Sequence, residues 1–461
     1  MNTKQLRQKI LDLAIRGKLV PQDPNDEPAA VLLERVRKEK ERLIKEGKIK
    51  DDKKTNSSVA DIELPRGWVN TSLSILTSLI GDGIHGTPRY NHDGEYYFIN
   101  GNNINTSNHK ICFYDSTRKV DYEEYKKYAK PLNQQSILLS INGTVGNVAF
   151  YNDEKIMLGK SAAFINLLSD ISKEYISYFL QSDMARGYYF DKVTGITIKN
   201  LGLKAIRDLE IPLPPLAEQH RIVAAIESAF AVIDEIERNK ADLQTAVAAA
   251  KQKILSLAIR GKLVAQDADD EPAKIKNAIK THSSFNVPES WIWAKICDVC
   301  EPQETKRPTG DTFRYIDIES IDNKRHCVSE PKVVATVKAP SRAAKGVSSG
   351  DTLFSMVRPY LENIAFITDE LGDCIASTGF YICRPQQNIL YPSYLFVVLT
   401  SRYAIDGTNS YMRGDNSPAI RKNEMDGFTI PIPPLAEQKR IVAAVEAAFE
   451  QLDGVAYELN T

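Results

Sequence analysis

Two long segments of this sequence occur twice, and their order constrains the fold more than any other feature. Residues 211–234 read IPLPPLAEQHRIVAAIESAFAVID, and residues 430–453 read IPIPPLAEQKRIVAAVEAAFEQLD. Residues 8–29 and 252–273 repeat in the same way, around a shared LAIRGKLV. In the middle of the chain the two blocks are joined, whereas their other copies lie at the two chain ends. Continuing both alignments places Thr461 opposite position 242 and Met1 opposite position 245.

This order is that of a tandem duplication in which one copy of the joined block is cut open by the chain termini. It predicts a closed, circular pseudo-two-fold repeat with its termini close together. Apolar residues of the joined block recur at spacings of three, four or seven, which predicts a helix of about 45 residues and roughly 65 Å. Pro214 and Pro215 mark its start and Gly261 its end. Such a helix suits a paired, antiparallel coiled-coil-like spacer, and the alternative is a helix packed on a domain core.

Between the helical blocks lie two long segments of mixed character. Each opens with Pro-x-x-Trp, at residues 65–68 and 288–291, and continues with short β-branched and aromatic runs that predict strands and loops. Helices are predicted near residues 172–181 and 393–402. The two segments share a few short matching stretches, which we call the framework, such as Asn-Val-Ala-Phe at 147–150 and Asn-Ile-Ala-Phe at 363–366. We therefore expect one α+β fold in both segments.

The predicted divisions of the chain alternate between helical and variable regions. They are 1–59, half of a split helical region with a charged segment; 60–210, a first variable domain; 211–273, the central helical region; 274–429, a second variable domain; and 430–461, the other half of the split helical region.

Charge and composition limit the classes of protein that this chain can represent. The amino end interleaves basic and apolar residues unlike a signal peptide, and no apolar run approaches the roughly 20 residues that span a bilayer, so we expect a cytoplasmic protein. Six cysteines in such a protein are expected to be free thiols. A net charge of −1 gives no overall attraction to phosphate, so any DNA binding must use local patches or partner subunits.

Sequence motifs for catalysis or cofactor binding are weak. Residues 81–86 match a dinucleotide fingerprint, but a Thr-Pro turn follows in place of the required helix. Cys297 and Cys300 could form half of a zinc site with His326 and Cys327, although buried thiols are the favoured interpretation.

Nuclease and methyltransferase signatures are equally weak. Glu124 lies in a Glu-Tyr-Lys triplet with no carboxylate cluster around it and is interpreted as part of a solvated face. The Asn/Asp-Pro-Pro-aromatic tetrad of amino-methyltransferases does not occur. We therefore predict no catalytic residue, no metal site and no enzymatic activity in this chain.

The repeated blocks resemble those of a known family. PLPPLAEQ followed by RIV, the LAIRGKLVPQD block, and the alternation of helical and variable regions resemble the specificity subunits of type I restriction-modification enzymes, over essentially the whole chain. The resemblance implies two target recognition domains, 60–210 and 274–429, each contacting one half of an asymmetric bipartite site in double-stranded DNA. It also implies helices that dock two methyltransferase (modification) subunits, and an assembly that recruits motor-nuclease (restriction) subunits. S-adenosylmethionine, ATP and Mg²⁺ would belong to those partners, with no cofactor in this chain.

Loop residues that can reach base edges or phosphates are the candidate DNA contacts, with Arg358 and Arg413 foremost because arginine pairs bidentately with guanine. In the first variable domain they are Arg89, Tyr90, Asn91, Asn102, Asn103, Asn142, Thr144, Thr194, Thr197 and Lys199. In the second they are Lys306, Arg307, Arg358, Tyr360, Arg413, Asn416, Ser417, Arg421 and Lys422. The candidate partner-docking residues of the helices are Ile222, Ile226, Phe230, Ile441, Val445 and Phe449.

Some alternatives stay open at this point. The chain could be a protein-interaction scaffold without sequence-specific DNA binding, or, less in keeping with its motifs, an autonomous methyltransferase or nuclease. Residues 34–54 have no counterpart of similar length after Ala273, which predicts an asymmetry of the repeat there. The basic run 35–54 is interpreted as a solvated helix, with a phosphate or partner contact as the alternative. Aspartate at Ile226 is expected to disrupt helix pairing or docking while each variable domain stays folded.

Overall fold

The computed structural model describes residues 2–50, 63–106, 108–195, 199–280 and 282–458. These residues form two compact units, one spanning Asn2–Arg238 and the other beginning at Asn239, which we call the N-unit and the C-unit. Both units combine helices with small, mainly antiparallel sheets, so the chain has the predicted α+β fold.

The helices differ greatly in length, and α7 belongs partly to each unit. In the N-unit they are α1 Thr3–Ile15, α2 Ala29–Lys45, α3 Tyr122–Tyr128, α4 Lys173–Gln181, α5 Asp183–Lys192, α6 Leu203–Asp208 and the first part of α7 Leu216–Ala258. In the C-unit they are the rest of α7, α8 Ile296–Val299, α9 Pro392–Leu399, α10 Arg402–Asn409, α11 Lys422–Asp426 and α12 Leu435–Glu458. Every helix in the described part of the chain is too short or too polar to cross a bilayer.

The strands of the N-unit form four small sheets. They are β1 Val69–Ser72, β2 Thr77–Asp82, β3 Tyr96–Ile99, β4 Ile104–Asn105, β5 Lys110–Ile111, β6 Lys119–Val120, β7 Ser136–Ser140, β8 Val148–Phe150, β9 Ile156–Leu158, β10 Ala162–Leu167 and β11 Glu210–Leu213. The sheet orders are β1-β11, β2-β10-β7-β8, β6-β3-β9 and β4-β5. The β3–β9 pair is parallel, and the other pairs are antiparallel.

The strands of the C-unit follow the same plan. They are β12 Ile292–Lys295, β13 Thr312–Ile316, β14 Ile321–Asp322, β15 Cys327–Val328, β16 Lys332–Ala335, β17 Ala343–Gly346, β18 Thr352–Ser355, β19 Ile364–Phe366, β20 Ile375–Ser377, β21 Phe380–Cys383 and β22 Thr429–Ile432. The sheet orders are β12-β22, β16-β13-β20-β17, β14-β15 and β19-β18-β21. Here the β13–β20 pair is the parallel one.

The two units share most of one topology, as the sequence framework predicts, although the C-unit adds β17 beside β20 and its described residues place no strand beside β21 where the N-unit has β2. In each, the first and last strands pair (β1 with β11, β12 with β22), and the strand after the first long loop pairs in parallel with a later strand. That strand is followed by a 3₁₀ turn, at Gly101–Asn103 and at Ile318–Ser320. The predicted helices near 172–181 and 393–402 are α4 and α9.

Helix α7 begins directly after Pro214 and Pro215 and ends just before Gly261, as predicted. Gly261 has a φ of 67°, and the Lys262 N–H donates to the Leu257 carbonyl at 2.9 Å, which closes the last turn. Gly17 ends α1 in the same way, with a φ of 63°. A left-handed residue after a helix favours glycine, so both helix ends are set locally by the repeated Arg-Gly-Lys.

The charged segment 34–54 is not a wholly solvated helix, because its first part belongs to α2, which packs on the N-unit core. Leu32, Leu33 and Val36 are buried in the N-unit core, so one face of this helix packs. The outer face carries ion pairs such as Lys38–Glu34, but the helix has six basic and three acidic residues and therefore stays positively charged. Residues 274–280 and 282–290 contain no equivalent helix, in line with the predicted asymmetry, and residues 51–54 of the segment lie outside the described residues.

A half-buried histidine occupies the same turn in both units. His109 and His326 follow β4 and β14, and both have a left-handed backbone, with φ of 53° and 52°. The His109 ring stacks on Phe150 at 4.8 Å and accepts a hydrogen bond at Nε2 from the Gln181 amide at 2.8 Å. Burial lowers the pKa of both histidines, only partly offset by the charges of Glu174 near His109 and Glu362 near His326.

These histidines predict a loss of stability in mild acid. Because the folded pKa lies below the unfolded pKa of about 6.5, the unfolded chain binds more protons as the pH falls through that value. Each histidine should then remove at most about 1.4 kcal/mol of the free energy of unfolding per pH unit. Chemical denaturation between about pH 7.5 and 5.5 measures this, and His109→Gln with His326→Gln should flatten the dependence. An unchanged pH profile in the double variant would contradict the assignment.

Candidate DNA interface and its helical joint

The repeated blocks build a buried joint between helix α7 and the sheets of the N-unit. Glu218, in the first turn of α7, is 1% exposed, and its carboxylate accepts hydrogen bonds from the Trp68 indole at 3.0 Å and the Gln22 amide at 3.1 Å. Burial raises the pKa of Glu218, while these two hydrogen bonds lower it. Gly17 packs so closely that a Cβ there would lie 2.4 Å from Pro65. The joint thus holds together the segments 17–22 and 65–68 and the start of α7, which are far apart in the sequence.

The C-unit contains the same joint, built from the second copy of the blocks. Glu437, also 1% exposed, accepts from the Trp291 indole at 2.9 Å and the Gln266 amide at 2.5 Å. A Cβ on Gly261 would lie 2.4 Å from Pro288. The repeat therefore specifies how each variable domain is mounted on its helix.

A bidentate ion pair and a buried amide complete each joint. Arg221 pairs with Asp26 in the N-unit at 2.7 and 3.2 Å, and Arg440 pairs with Asp270 in the C-unit at 2.6 and 3.1 Å. Gln219, fully buried, accepts from the Ser172 N–H at 3.1 Å, as Gln438 does in its own unit from Tyr391. Every polar residue of PLAEQxRIV that is shared by the copies thus has a defined partner.

Trp68→Phe tests the joint of the N-unit. It removes one donor to the buried Glu218 carboxylate, so we expect the N-unit to lose about 1–3 kcal/mol of unfolding free energy. Hydrogen exchange followed by mass spectrometry assigns the loss to one unit. Trp291→Phe is the matched variant and should loosen the C-unit alone. Loosening of the same unit by both variants would contradict this description.

Within each unit, a cation over an aromatic ring joins helix α7 to a second helix. Arg7 of α1 lies 4.9 Å from the Phe230 ring centroid of α7 and pairs with Asp234 at 2.6 Å. In the C-unit, Lys251 of α7 lies 4.9 Å from the Phe449 ring of α12 and pairs with Asp453 at 2.5 Å. The two helical pairings are therefore versions of one contact.

The predicted partner-docking residues are mostly not available to a partner. Ile222 and Ile226 are fully buried in the N-unit core, and Ile441 and Val445 are buried in the C-unit core. Phe230 and Phe449 are partly buried and also pack on their own cores. For Ile222, Ile226, Ile441 and Val445 the prediction was wrong, because an apolar stripe shows that a helix face is covered but not what covers it. Here each variable domain covers it. For Phe230 and Phe449 docking stays a prediction.

Loops that follow several strands meet at one edge of the N-unit. The Ser161 hydroxyl accepts from the Gly101 N–H at 2.9 Å, and the Ser161 carbonyl accepts from the Ile141 N–H at 3.0 Å. This joins the loop after β3 to the loop after β7, which carries Asn142 and Thr144. A β-bridge between Asn142 and Asn200 adds the turn after α5. We call this surface the N-edge.

The corresponding edge of the C-unit, the C-edge, is richer in arginine. Arg358 follows β18, and its N–H donates to the Pro418 carbonyl at 2.7 Å while its guanidinium donates to the Asn416 carbonyl at 2.8 Å. Bridges from Ala419 to Val357 and to Arg413 hold the two loops together. Arg358 has a φ of 49°, a strained backbone of the kind often found at functional sites. The structure thus brings Arg358 and Arg413 to one surface.

Most other candidate contacts lie on exposed loops of the two units. Those exposed to solvent in the N-unit are Arg89, Tyr90, Asn91, Asn102, Thr144, Thr194 and Lys199. Those exposed in the C-unit are Lys306, Arg307, Arg358, Tyr360, Arg413, Asn416, Ser417, Arg421 and Lys422. Asn142 is half-buried, and Thr197 lies outside the described residues.

The prediction that Asn103 contacts DNA is wrong, because its side chain is buried and hydrogen-bonded within the N-unit. It is 4% exposed, and its amide donates to the Cys112 carbonyl at 2.9 Å and to Thr117. Its side-chain oxygen accepts from the Asn100 N–H at 2.9 Å. Asn103 therefore shapes the loop, and a base contact would cost these hydrogen bonds.

The interpretation of Glu124 as part of a solvated face is also wrong, since this residue is only 8% exposed. Its carboxylate accepts from the Arg89 N–H and from Lys127, each at 3.0 Å. The hydrogen bond from the Arg89 backbone is the main cause that lowers the pKa of Glu124. Glu124 thus ties the loop of a candidate DNA contact to helix α3.

Two exposed cations at these edges were missed by the sequence reasoning. Lys160 directly precedes Ser161, and its carbonyl faces the Asn142 amide at 3.4 Å. The Arg342 carbonyl accepts from the Thr378 N–H at 2.8 Å, beside the start of β21. The position of Lys160 directly before Ser161 was visible in the sequence, whereas the proximity of Arg342 to Thr378 needed coordinates.

The other chemical motifs do not assemble into a site in the described residues. No group of three or more His, Cys, Asp or Glu there is placed to hold a metal ion. Cys300 is buried and Cys297 exposed, and burial raises the pKa of both thiols. Strand β2 ends at Asp82 and a loop follows, so the fingerprint at 81–86 does not lead into a helix.

Taken together, the fold and the edges define a modular recognition protein, with one α+β domain used twice on matched joints and with different residues at its exposed edge. The chain belongs to the family described as the type I restriction modification DNA specificity domain, which matches residues 74–244 and 288–455. The two matches include residues 74–210 of the first variable domain and residues 288–429 of the second.

Relatives of nearly full length carry the same designation. The chain is 24% identical to the type I restriction enzyme EcoAI specificity subunit of Escherichia coli, over 99% of this chain and 91% of that protein. It is 24% identical to the EcoEI specificity subunit of the same species, with the same coverage. Among solved structures, the HsdS subunit from Thermoanaerobacter tengcongensis is 18% identical, with a TM-score of 0.49 over 87% of this chain and 95% of that one.

Proposed function

We propose that this chain is the DNA sequence-recognition subunit of a type I restriction-modification complex. Its N-edge and C-edge would each contact one half of an asymmetric bipartite site in double-stranded DNA. The observation that carries the proposal is the contrast within the repeat. The joints of the two units match residue by residue, whereas the N-edge and the C-edge differ. This contrast suits a subunit whose protein partners stay the same while the DNA sequence at each half-site differs.

The different chemistry of the two edges supports two different half-sites. The C-edge presents Arg358 and Arg413, whose guanidinium groups suit guanine, while the N-edge presents Asn142 and Thr144. Family membership and the names of the relatives point to the same role. With a net charge of −1, the chain is expected to need partner subunits for tight binding at physiological salt.

The partners and cofactors are part of the proposal. We propose that two methyltransferase subunits dock on this chain and that motor-nuclease subunits join the assembly. S-adenosylmethionine, ATP and Mg²⁺ would be held by those partners, and this chain would act in the cytoplasm without catalysis of its own.

Binding of split-site DNA tests the proposal against a pure protein scaffold. The chain is purified alone and with co-expressed methyltransferase subunits, and affinity is measured for the site and for scrambled duplexes. We expect sequence-selective binding that strengthens in the complex. Arg413→Ala should relax selectivity at one position by about 5- to 150-fold, the equivalent of about 1–3 kcal/mol. Lys439→Ala, an exposed cation on α12, is the matched control. Equal affinity for the site and the scrambled duplexes, with and without methyltransferase subunits, would reject DNA recognition and favour the protein scaffold.

A further inference from the structure

An aromatic cleft lies in the N-unit between the loop before β3 and the loop after β5. It has a volume of about 240 Å³, and its walls include Tyr90, Phe98, Asn102, Tyr114 and Arg118. Tyr114 is 50% exposed and Tyr90 is 37% exposed. The Arg118 guanidinium lies 4.5 Å from the Tyr90 ring centroid, and Phe98 meets the same ring edge to face at 5.7 Å. The cleft thus combines exposed ring faces with a fixed cation.

A second cleft continues this surface. It has a volume of about 520 Å³ and shares Tyr114 and Arg118 with the aromatic cleft. Phe113 packs on Tyr97 at 4.5 Å, and the Lys119 ammonium lies 4.9 Å from the Tyr97 centroid. Alternating rings and cations are the arrangement with which proteins hold unpaired nucleic-acid bases.

The aromatic cleft adjoins the N-edge. Asn102 lines the cleft and belongs to the 3₁₀ turn Gly101–Asn103. A Cβ on Gly101 would lie 3.1 Å from the Ser140 Cβ and 3.6 Å from the Asn142 carbonyl oxygen. A ligand in the cleft would therefore contact the loop system proposed to face DNA.

The aligned positions of the C-unit carry only one aromatic residue of these walls, Tyr315 opposite Phe98. The Cys112 N–H donates to the Asn103 carbonyl, and the Ser329 N–H donates to the Ser320 carbonyl, which fixes the alignment of the two loops. Tyr90, Phe113 and Tyr114 then stand opposite Arg307, Glu330 and Pro331. The exposed aromatic residues Tyr90, Phe113 and Tyr114 are thus specific to the N-unit and do not belong to the shared framework.

We propose that the aromatic cleft binds a nucleobase that has left the DNA stack at the half-site of the N-unit. In a duplex, ring faces are covered by neighbouring bases and only edges are exposed, so stacking walls serve a base only when it is unpaired. Tyr90, Tyr114 and Arg118 would contact the faces of the base, and Asn102 would meet its edge. The inference rests on the proposed DNA-recognition function.

The volume favours a single base as the occupant. A cleft of about 240 Å³ is smaller than the roughly 300–1,000 Å³ of pockets that enclose drug-sized ligands. A planar base with its sugar outside fits this limit, whereas a folded peptide does not. The neighbouring cation Lys119, whose ammonium lies over the Tyr97 ring, would contact an adjoining phosphate.

Binding of a bulged duplex by the full chain tests the inference. The probes are a 20-base-pair duplex of mixed sequence and the same duplex with one unpaired 2-aminopurine, whose fluorescence is quenched on stacking. We expect the bulged duplex to bind about fivefold more tightly or more, with quenching. Tyr114→Ala should abolish the preference, and Tyr114→Phe, which keeps the ring, should retain it. Tyr128→Ala, an exposed tyrosine of α3 outside the cleft, is the matched control.

Each outcome decides the matter. Equal affinity for both duplexes, or a preference that survives both Tyr114→Ala and Tyr90→Ala, would overturn the cleft assignment. If the chain still selects its bipartite duplex, the proposed function stands without the cleft. If it selects no duplex in any assembly, the proposed function has failed as well. Thermal melting shows that the variants are folded, as expected for exposed side chains.

Discussion

Aspartate at Ile226 is expected to unfold the N-unit. Ile226 is fully buried in the N-unit core, among residues of the helices and sheets alike. A carboxylate there has no partner and loses its hydration, so we expect a loss of at least about 4 kcal/mol of unfolding free energy. Chemical denaturation of the purified chain measures it, and hydrogen exchange should show the loss in the N-unit. This replaces the sequence-based expectation that the variable domain would stay folded.

Val232→Asp is the matched control on the same helix. Val232 is 55% exposed, so the substitution should change stability by no more than about 0.5 kcal/mol. If Ile226→Asp were as mild as this control, helix α7 would not be part of the N-unit core. If Val232→Asp instead weakened co-purification with methyltransferase subunits while the chain stayed folded, the exposed face of α7 would be a docking surface.

A four-residue insertion between Ala248 and Ala249 is expected to change the spacing of the two half-sites. The insertion lengthens helix α7 by about 6 Å, since each residue adds about 1.5 Å. At about 3.4 Å per base pair, the preferred spacer should grow by one or two base pairs, and affinity for the original spacing should fall at least about tenfold. Binding to a series of sites that differ only in spacer length measures the shift.

The control for the insertion keeps the length of the helix. Replacing residues 246–249 with another helix-forming sequence of four residues should leave the preferred spacer unchanged. If the insertion also left it unchanged, α7 would not determine the separation of the half-sites. The circular closure of the repeat, with adjacent termini, stays a prediction that this experiment does not require.

The sequence predicted what is determined locally or by repetition. Pro215 and Gly261 bound α7 because their backbone preferences act within one turn of the helix. The common α+β fold followed from framework segments at matching positions, since alternating apolar runs specify strands wherever they occur. The role of the repeated Glu218 and Trp68 as one buried joint needed coordinates, because they are distant in sequence.

The features that sequence reasoning missed depend on which other parts of the chain pack against each helix, strand or loop. Ile226 was taken for a docking residue, although a packed face looks the same in sequence whether a partner or the chain itself covers it. Glu124 and Asn103 were interpreted as exposed because their types favour surfaces. In the fold, Glu124 accepts from the Arg89 N–H, and the Asn103 amide donates to the Cys112 carbonyl. The aromatic cleft joins Tyr90 to Tyr114 across β3, a pairing that no periodicity shows.

Methylome sequencing of the host, with and without this gene, tests the central claim most directly. If this chain selects the target, one bipartite motif with an asymmetric pair of half-sites should be methylated in the parent and lose all methylation in the deletion strain. Restoring the gene on a plasmid should restore the same motif. A full set of methylated motifs that persists unchanged after deletion would contradict the account.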